Sequence, residues 1–360
     1  MRRYCERVGV LLAPHGKTTM APQLFARQLD AGAWGMTAAT VQQLQIYRMF
    51  GIARVIFANQ IVGPASVRFI CSELNADEDF ELYSFVDSAA SVQVLSDAAK
   101  RHGVRRPFRV LLEVGYSGGR TGIRDGDDLK SVLSAIERSG GSVRLSGVAA
   151  YEGLLKHSAD GDAQIDKFLE RVRDFVDLLV SEERLPEEFI VTAGGSDAFD
   201  RVVDAFADRW KGRAAVILRA GCYLTHDDSP TAKPLSRESL AGRGALQPAL
   251  RLWSYVQSRP EPTLAYLAFG KRDAPWDAGF PVPLSVLRAG EVVKTDASNF
   301  AIEEMNDQHA RLRIPADASL KVGDVVICGI IHPCGAFDRW RLIFEVDDED
   351  VIQDAIVTFF

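Results

Sequence analysis

Cysteine is scarce and odd in number. Five residues in 360 (Cys5, Cys71, Cys222, Cys328 and Cys334) cannot build a disulfide framework, and they fit a reducing, cytoplasmic setting. Long apolar runs are also missing, with none near the roughly 18 residues that a membrane span needs. The opening Met1-Arg2-Arg3-Tyr4-Cys5-Glu6-Arg7 lacks the apolar core and small-residue cleavage site of a signal peptide. Positive charge is not in excess: 42 Lys and Arg face 49 Asp and Glu, a net charge of −7. Nucleic acid and anionic membranes are therefore not expected partners. Repeats and low-complexity tracts are absent. No G-x-G-x-x-G follows the first apolar run, which counts against a dinucleotide-binding open sheet. With 47% hydrophobic and 25% charged residues, the composition is that of a soluble globular protein long enough for a barrel plus a smaller module.

From residue 8 to about 225, short apolar runs alternate with amphipathic segments. The runs Val8–Ala13, Gly35–Ala38, Val55–Ala58, Leu82–Val86, Arg109–Val114, Leu145–Tyr151, Phe189–Ala193 and Ala215–Arg219 read as strands. Helical patterns between them include Ala21–Ala31, Thr40–Phe50, Ser88–Arg101, Asp127–Arg138, Asp162–Glu182 and Asp197–Ala207. Near-continuous Val/Ile/Leu strands alternating with helices predict a parallel sheet covered by helices. Eight of them suit a (β/α)8 TIM barrel, an α/β fold, here assigned to residues 1–234. Beyond Gly221 prolines break the helical periodicity. Short alternating segments follow (Thr263–Ala268, Ala310–Ile314, Val325–Ile331, Trp340–Val346), so residues 235–360 are expected to form a mainly β domain.

Five segments could carry chemistry. Pro14-His15-Gly16-Lys17-Thr18 follows the first apolar run, and alternation would turn His15 and Lys17 toward the barrel mouth. A lysine there can form a Schiff base once its amine loses its proton, which burial and neighbouring cations promote. After the fifth strand, Gly115 to Gly122 holds four glycines and Arg120, either a flexible turn or an anchor for a phenolate or carboxylate. The loops Gly194-Gly195-Ser196 and Gly221-Cys222-Tyr223 follow strands seven and eight, where barrels often hold phosphate. Ser196 or Asp197 would serve equally well as a helix cap. Last, His332-Pro333-Cys334 spaces an imidazole and a thiol as two ligands on one strand face, enough for a zinc ion with an open shell but not a closed one.

Taken in order, Pro14 to Thr18, the Arg120 loop, Tyr151-Glu152-Gly153, Gly194-Gly195-Ser196, Gly221-Cys222-Tyr223 and His332-Pro333-Cys334 resemble the D-serine dehydratase and D-threonine aldolase group of pyridoxal-phosphate enzymes. The resemblance spans nearly the whole chain. It implies the alanine-racemase-like fold, a barrel followed by a β domain, and a head-to-tail homodimer. It makes Lys17 the residue that binds the pyridoxal 5'-phosphate covalently, with His15 beside it. Arg120 should face the cofactor's ring oxygen and Tyr151 its ring, while Gly194, Gly195, Ser196, Gly221, Cys222 and Tyr223 hold the phosphate. His332 and Cys334 should bind a divalent metal, Zn2+ by ligand type. Dehydratases of the group carry His-x-Cys where the aldolases carry His-x-Asp, so the resemblance implies elimination from a small β-hydroxy D-amino acid such as D-serine. Cleavage to glycine and an aldehyde, racemisation, and a non-catalytic cofactor carrier remain as alternatives. Two departures stand out. Leu154 follows Gly153 where the group often has a histidine, with His157 the nearest, and Asn306-Asp307-Gln308-His309 matches the acidic-His segment loosely. The chain also opens inside the group's first helix, so a shortened start and a β domain short of one strand are expected.

Overall fold

The computed structural model describes residues 1–157, 160–229 and 246–360, and the side chain of His157 is not among what it describes. The chain divides into two compact units, Met1–Lys17 with Pro22–Gly221, and Thr18–Ala21 with Cys222–Phe360. The expected boundary at 234/235 lies outside the described residues.

In chain order the first unit contains α1 (Arg2–Val8), β1 (Leu11–Leu12), α2 (Pro22–Asp30), β2 (Met36–Ala38), α3 (Val41–Met49), β3 (Arg54–Gln60), α4 (Pro64–Ala76) and β4 (Glu81–Val86). It continues with α5 (Ala89–His102), β5 (Phe108–Val114), α6 (Gly126–Arg138), β6 (Val143–Ala150), α7 (Gly161–Ser181), β7 (Phe189–Ala193), α8 (Phe199–Phe206) and β8 (Ala214–Leu218). All eight strands are parallel, in the order β1-β8-β7-β6-β5-β4-β3-β2. The ends of that order meet: Trp34 N–H donates to Leu12 O at 2.7 Å, Thr37 N–H donates to Pro14 O at 2.9 Å, and His15 bridges Thr37. The sheet is a (β/α)8 barrel.

Alternation fills its lumen. Ala13, Ile56, Tyr83, Phe85, Leu111 and Ile217 form one buried cluster inside, while the intervening side chains face the helices. Each large aliphatic side chain withdrawn from water contributes about 1.5–3 kcal/mol. Helix α7 shows the matching stripe, burying Ile165, Phe168, Leu169, Val172, Val176 and Leu179 at helical spacing.

One expected strand is corrected. Val8–Ala13 begins as helix, because α1 runs to Val8 and ends on Gly9 in the left-handed conformation (φ 71°). Only Leu11–Leu12 pairs as β1.

The second unit holds β9 (Arg251–Glu261), β10 (Leu264–Leu267), β11 (Val282–Arg288), β12 (Glu291–Val292), β13 (Ala301–Met305), β14 (Ala310–Arg313), β15 (Val325–Gly329), the short α9 (Pro333–Phe337), β16 (Leu342–Val346) and β17 (Ile352–Val357). Seven strands form an antiparallel sheet in the order β12-β11-β15-β9-β10-β14-β13, and β16 pairs with β17 alone. Strands β9 and β11 carry Pro260 and Pro283, which read as breakers. Pro260 lies at the tight β9–β10 hairpin and Pro283 beside a register shift against β15, where a missing N–H costs no ladder bond. Among the described residues, no helix is long and apolar enough to cross a membrane.

Candidate functional site

Pro14 has no N–H to continue a ladder, and after His15 the residues Gly16–Thr18 form a 3-10 turn. Lys17 therefore sits on a turn rather than alternating with His15 along a strand. The turn rests on Tyr47. A Cβ at Gly16 would collide with the Tyr47 hydroxyl, so only glycine lets the backbone come this close. Tyr47 is fully buried, donates to Thr37 O at 2.8 Å and meets Phe25 edge-on at 5.1 Å. Burial pushes its phenol far above the usual range and keeps it a neutral donor. The Lys17 side chain is exposed, and among the described residues no carboxylate pairs with its amine. Its backbone N–H donates to His15 Nδ1 at 3.4 Å, which requires that nitrogen to be unprotonated. Burial first, then the charges of Lys17, Arg219 and Arg120, hold the His15 imidazolium well below its usual range. The ring is neutral.

The inward parity of β5 brings Glu113 to the lumen's upper end, buried. Gln60 Nε2 donates to it at 2.7 Å and Thr121 Oγ1 at 2.9 Å. Burial dominates and raises this carboxyl, although both hydrogen bonds oppose the shift. The glycine loop beyond it is not a loose turn. The Arg124 guanidinium donates to the carbonyls of Gly119, Arg120, Thr121 and Gly122 at 2.7–3.3 Å. Gly122, at φ 97°, packs on Gly115 with no room for a Cβ. Arg120, carried on this loop, lies 4.9 Å from the centre of the Tyr151 ring, a cation–π distance.

Glu152 follows Tyr151 and is fully buried. Its carboxylate accepts the Gly195 N–H at 2.9 Å and the Gly194 N–H at 3.2 Å. Burial raises the Glu152 carboxyl, while those amides and the charge of Arg219 pull the other way. The two amides assigned to a phosphate thus hold an internal oxyanion in this structure. Helix α8 starts at Phe199 with Ala198 as its uncapped N-terminus, so neither Ser196 nor Asp197 is a cap. Arg219, buried at the end of β8, donates to Thr192 Oγ1 at 2.8 Å and to Ala150 O at 2.7 Å. Burial lowers its pKa, and the charges of Glu152 and Glu113 oppose that shift. Glu113 and Arg219 had a readable sign in the sequence: each lies two residues beyond a lumen-facing apolar position, Leu111 or Ile217. Gly221 ends the first unit, and Cys222 and Tyr223 open the second on a 3-10 turn, Cys222–Leu224.

In the second unit the His-x-Cys pair is not on a strand. Strand β15 ends at Gly329, His332 is the N-cap position of α9, and Cys334 lies in that helix's first turn. Pro333 causes the change, ending the extended run and starting the helix. His332 Nδ1 lies 2.7 Å from Asp277 Oδ2. Burial pushes the Asp277 carboxyl up, but the hydrogen bond and charge of His332 outweigh it and hold the group low. A carboxylate on one ring nitrogen orients the ring and leaves Nε2 for a metal. Asp277, 55 residues away in sequence, has no motif to announce it. The Cys334 Sγ lies 3.3 Å from Thr18 Oγ1 and 3.0 Å from Cys222 Sγ. Among the described residues no three His, Cys, Asp or Glu side chains converge as a metal-holding group. An ion on His332 and Cys334 would take its remaining ligands from water or substrate, as an open catalytic shell does. Imidazole and thiolate suit zinc.

Residues 13–224 match the family "Alanine racemase, N-terminal domain", and residues 249–346 match "Putative serine dehydratase domain". A D-threonine aldolase of Arthrobacter sp is 25% identical over 321 residues, 88% of this chain and 76% of that protein. A D-threo-3-hydroxyaspartate dehydratase of Delftia sp. (strain HT23) is 29% identical over 175 residues, 48% of this chain and 44% of that protein. The crystal structure of D-threonine aldolase from Filomicrobium marinum superposes with a TM-score of 0.81 at 21% identity, covering 99% of this chain and 90% of that one. The first match spans more than half the chain and agrees with the barrel, and the relatives are named for reactions of D-amino acids. The chain belongs to the alanine racemase N-terminal domain family, the fold-type III pyridoxal-phosphate enzymes.

Proposed function

We propose that this chain catalyses a metal-assisted β-elimination on a β-hydroxy D-amino acid such as D-serine, yielding a 2-keto acid and ammonia. The observation that carries the reading is His332, oriented by Asp277 and followed two residues later by Cys334. That N,S pair fits a Lewis-acidic divalent ion, Zn2+ by ligand type, and such an ion makes a β-hydroxyl a better leaving group. Pyridoxal phosphate, when bound, supplies the electron sink for the charge left at Cα.

The residues of the barrel fit their share of the work. Lys17, with no carboxylate on its amine among the described residues, is available to hold the cofactor and to take the Cα proton. Neutral His15 adds no second positive charge beside it. Arg120, fixed by the Arg124-braced loop, is a cation held in place rather than a mobile one. Because Glu152 engages the Gly194 and Gly195 amides, the phosphate falls mainly to Ser196, Gly221, Cys222 and Tyr223. The reading extends to a cytoplasmic homodimer, whose mass sedimentation would check.

One observation favours a second reading: the D-threonine aldolase of Arthrobacter sp matches over 88% of the chain, against 48% for the dehydratase of Delftia sp.. That enzyme class would use the same lysine and metal but break Cα–Cβ. Purified protein with pyridoxal phosphate and Zn2+, given D-serine, D-threonine and D-threo-3-hydroxyaspartate, separates the two. Chelator-sensitive release of ammonia and keto acid supports elimination. Glycine and an aldehyde in their place overturn it.

A further inference from the structure

Two thiols 112 residues apart in sequence lie side by side in the second unit, with Cys222 Sγ 3.0 Å from Cys334 Sγ. Thr18 Oγ1 sits against both, 3.3 Å from Cys334 Sγ and 3.9 Å from Cys222 Sγ. Each cysteine is half-buried and reduced. The surrounding backbone builds this proximity. Asp228, six residues after Cys222, donates its N–H to Ile330 O at 2.9 Å, and its Oδ2 accepts from Ile330 N–H at 3.3 Å and from Arg251 at 2.7 Å. Thr225 O accepts the Ala249 N–H at 2.8 Å. Gly329 lies so close under Asp228 that any Cβ there would collide. The segment leading out of Cys222 is thereby fastened to the segment leading into Cys334.

Two sulfurs sharing one tetrahedral zinc at about 2.3 Å each would stand about 3.8 Å apart. A disulfide needs about 2.05 Å, a closure of roughly 1 Å from the observed contact. The observed 3.0 Å lies between the two, about 1 Å from bonding distance. We infer that Cys222 and Cys334 form a reversible disulfide that withdraws Cys334 from metal binding and so places the enzyme under oxidant control. The control, though not the thiol pair, rests on the metal reading proposed above.

The oxidant is a peroxide. One thiol attacks the O–O bond, giving a sulfenic acid and one water. The second sulfur then attacks the sulfenic sulfur, the S–S bond forms, the S–O bond breaks, and a second water leaves. Two thiols and one peroxide become one disulfide and two waters, and a dithiol reverses the reaction by exchange. Since the thiolate is the metal ligand, the bonded sulfur no longer serves as one. The other three cysteines do not compete. Cys5, Cys71 and Cys328 are buried, and burial pushes the Cys5 thiol up to about 11 and the Cys328 thiol up to about 12, with Cys71 raised as well.

The test treats zinc-loaded protein with stoichiometric hydrogen peroxide, blocks remaining thiols with an alkylating agent, and maps peptides by mass. The expected result is a linked Cys222–Cys334 peptide, loss of two of the five thiols, and zinc retention after gel filtration reduced at least about tenfold, in line with the 10–100-fold that even outer-shell changes cost. Dithiothreitol, then its removal and fresh Zn2+, should reverse all three, and Cys222→Ser should give no linked peptide. Recovery of Cys334 as an alkylated thiol or as a sulfinic acid, with Cys222 alkylated, overturns the pair. Because the wild-type map decides this, a variant that fails to fold does not blunt the test. A linked peptide with zinc undiminished overturns the control alone. Protein that never takes up zinc, yet forms the linked peptide, overturns the metal reading and leaves the disulfide standing.

Discussion

The turns that carry Lys17 and His332 are supported in opposite ways. The Lys17 turn is held from beneath by apolar and aromatic packing, with Gly16 against buried Tyr47 and Tyr47 against Phe25, and among the described residues no acidic group touches the amine. The His332 turn is held by charge, with Asp277 on Nδ1 at 2.7 Å. The difference suits the role proposed for each group. An amine that attacks a carbonyl is weakened by a carboxylate partner, which favours its protonated form. A metal-binding imidazole gains from one, which sets the tautomer and strengthens the ligand. Position by packing suits a nucleophile, and position by hydrogen bonding suits a ligand.

The hardest blow to this comparison is Lys17→Ala. Catalysis should fall by at least about a thousandfold, since the proposed covalent anchor is removed, and the visible absorbance of bound cofactor should vanish while zinc content stays level. Zinc lost together with the band would break the division of labour. Next comes Asp277→Asn, which keeps the shape of the His332 partner and removes its charge. Zinc affinity should weaken about 10–100-fold, with the cofactor's absorbance unchanged, as read by competitive chelator titration. Gly16→Ala acts on the other support. A Cβ forced against Tyr47 should cost about 1–3 kcal/mol of stability by overpacking, visible as a lower denaturant midpoint, and Gly16→Ala combined with Tyr47→Phe should recover part of it.

How much of this was legible follows the same contrast. The barrel strands are buried on both faces, so they read as near-continuous runs of Val, Ile and Leu, and β7 falls where its run predicts, at Phe189–Ala193. Helix α5 announces itself through Ser88 and Ser91, which cap it, and Gly103, which ends it. The antiparallel unit is less readable: β9 and β11 contain prolines tolerated only because of a hairpin and a register shift that tertiary pairing creates. Among the candidate residues, Lys17, Arg120, His332 and Cys334 announce themselves by residue type and spacing. Their supports do not. Tyr47, Arg124 and Asp277 act through contacts set by the fold, and Arg124 alone lies close in sequence to what it braces. Glu152 sat in a motif yet gave no hint that it would take the Gly194 and Gly195 amides.

The smallest effect tests whether His15 belongs to the Lys17 turn as a neutral ring. Its folded pKa is depressed, by burial first and then by the cations around it, whereas in the unfolded chain it titrates near about 6.5. As pH falls through that value the unfolded chain takes up a proton that the folded protein refuses. Stability present above about pH 6.5 is therefore lost on the acid side, with a limiting slope of about 1.4 kcal/mol per pH unit from this one group. Glu113 and Glu152, both raised, act with the opposite sign, losing stability as pH rises through their folded values, so only a difference isolates the histidine. Urea midpoints of cofactor-free wild type and His15→Asn, compared between about pH 5.5 and pH 8, should converge as the solution is acidified, because the variant has no ring to protonate. Parallel profiles would mean that His15 accepts its proton in the folded state, and the amine of Lys17 would then work beside a second positive charge.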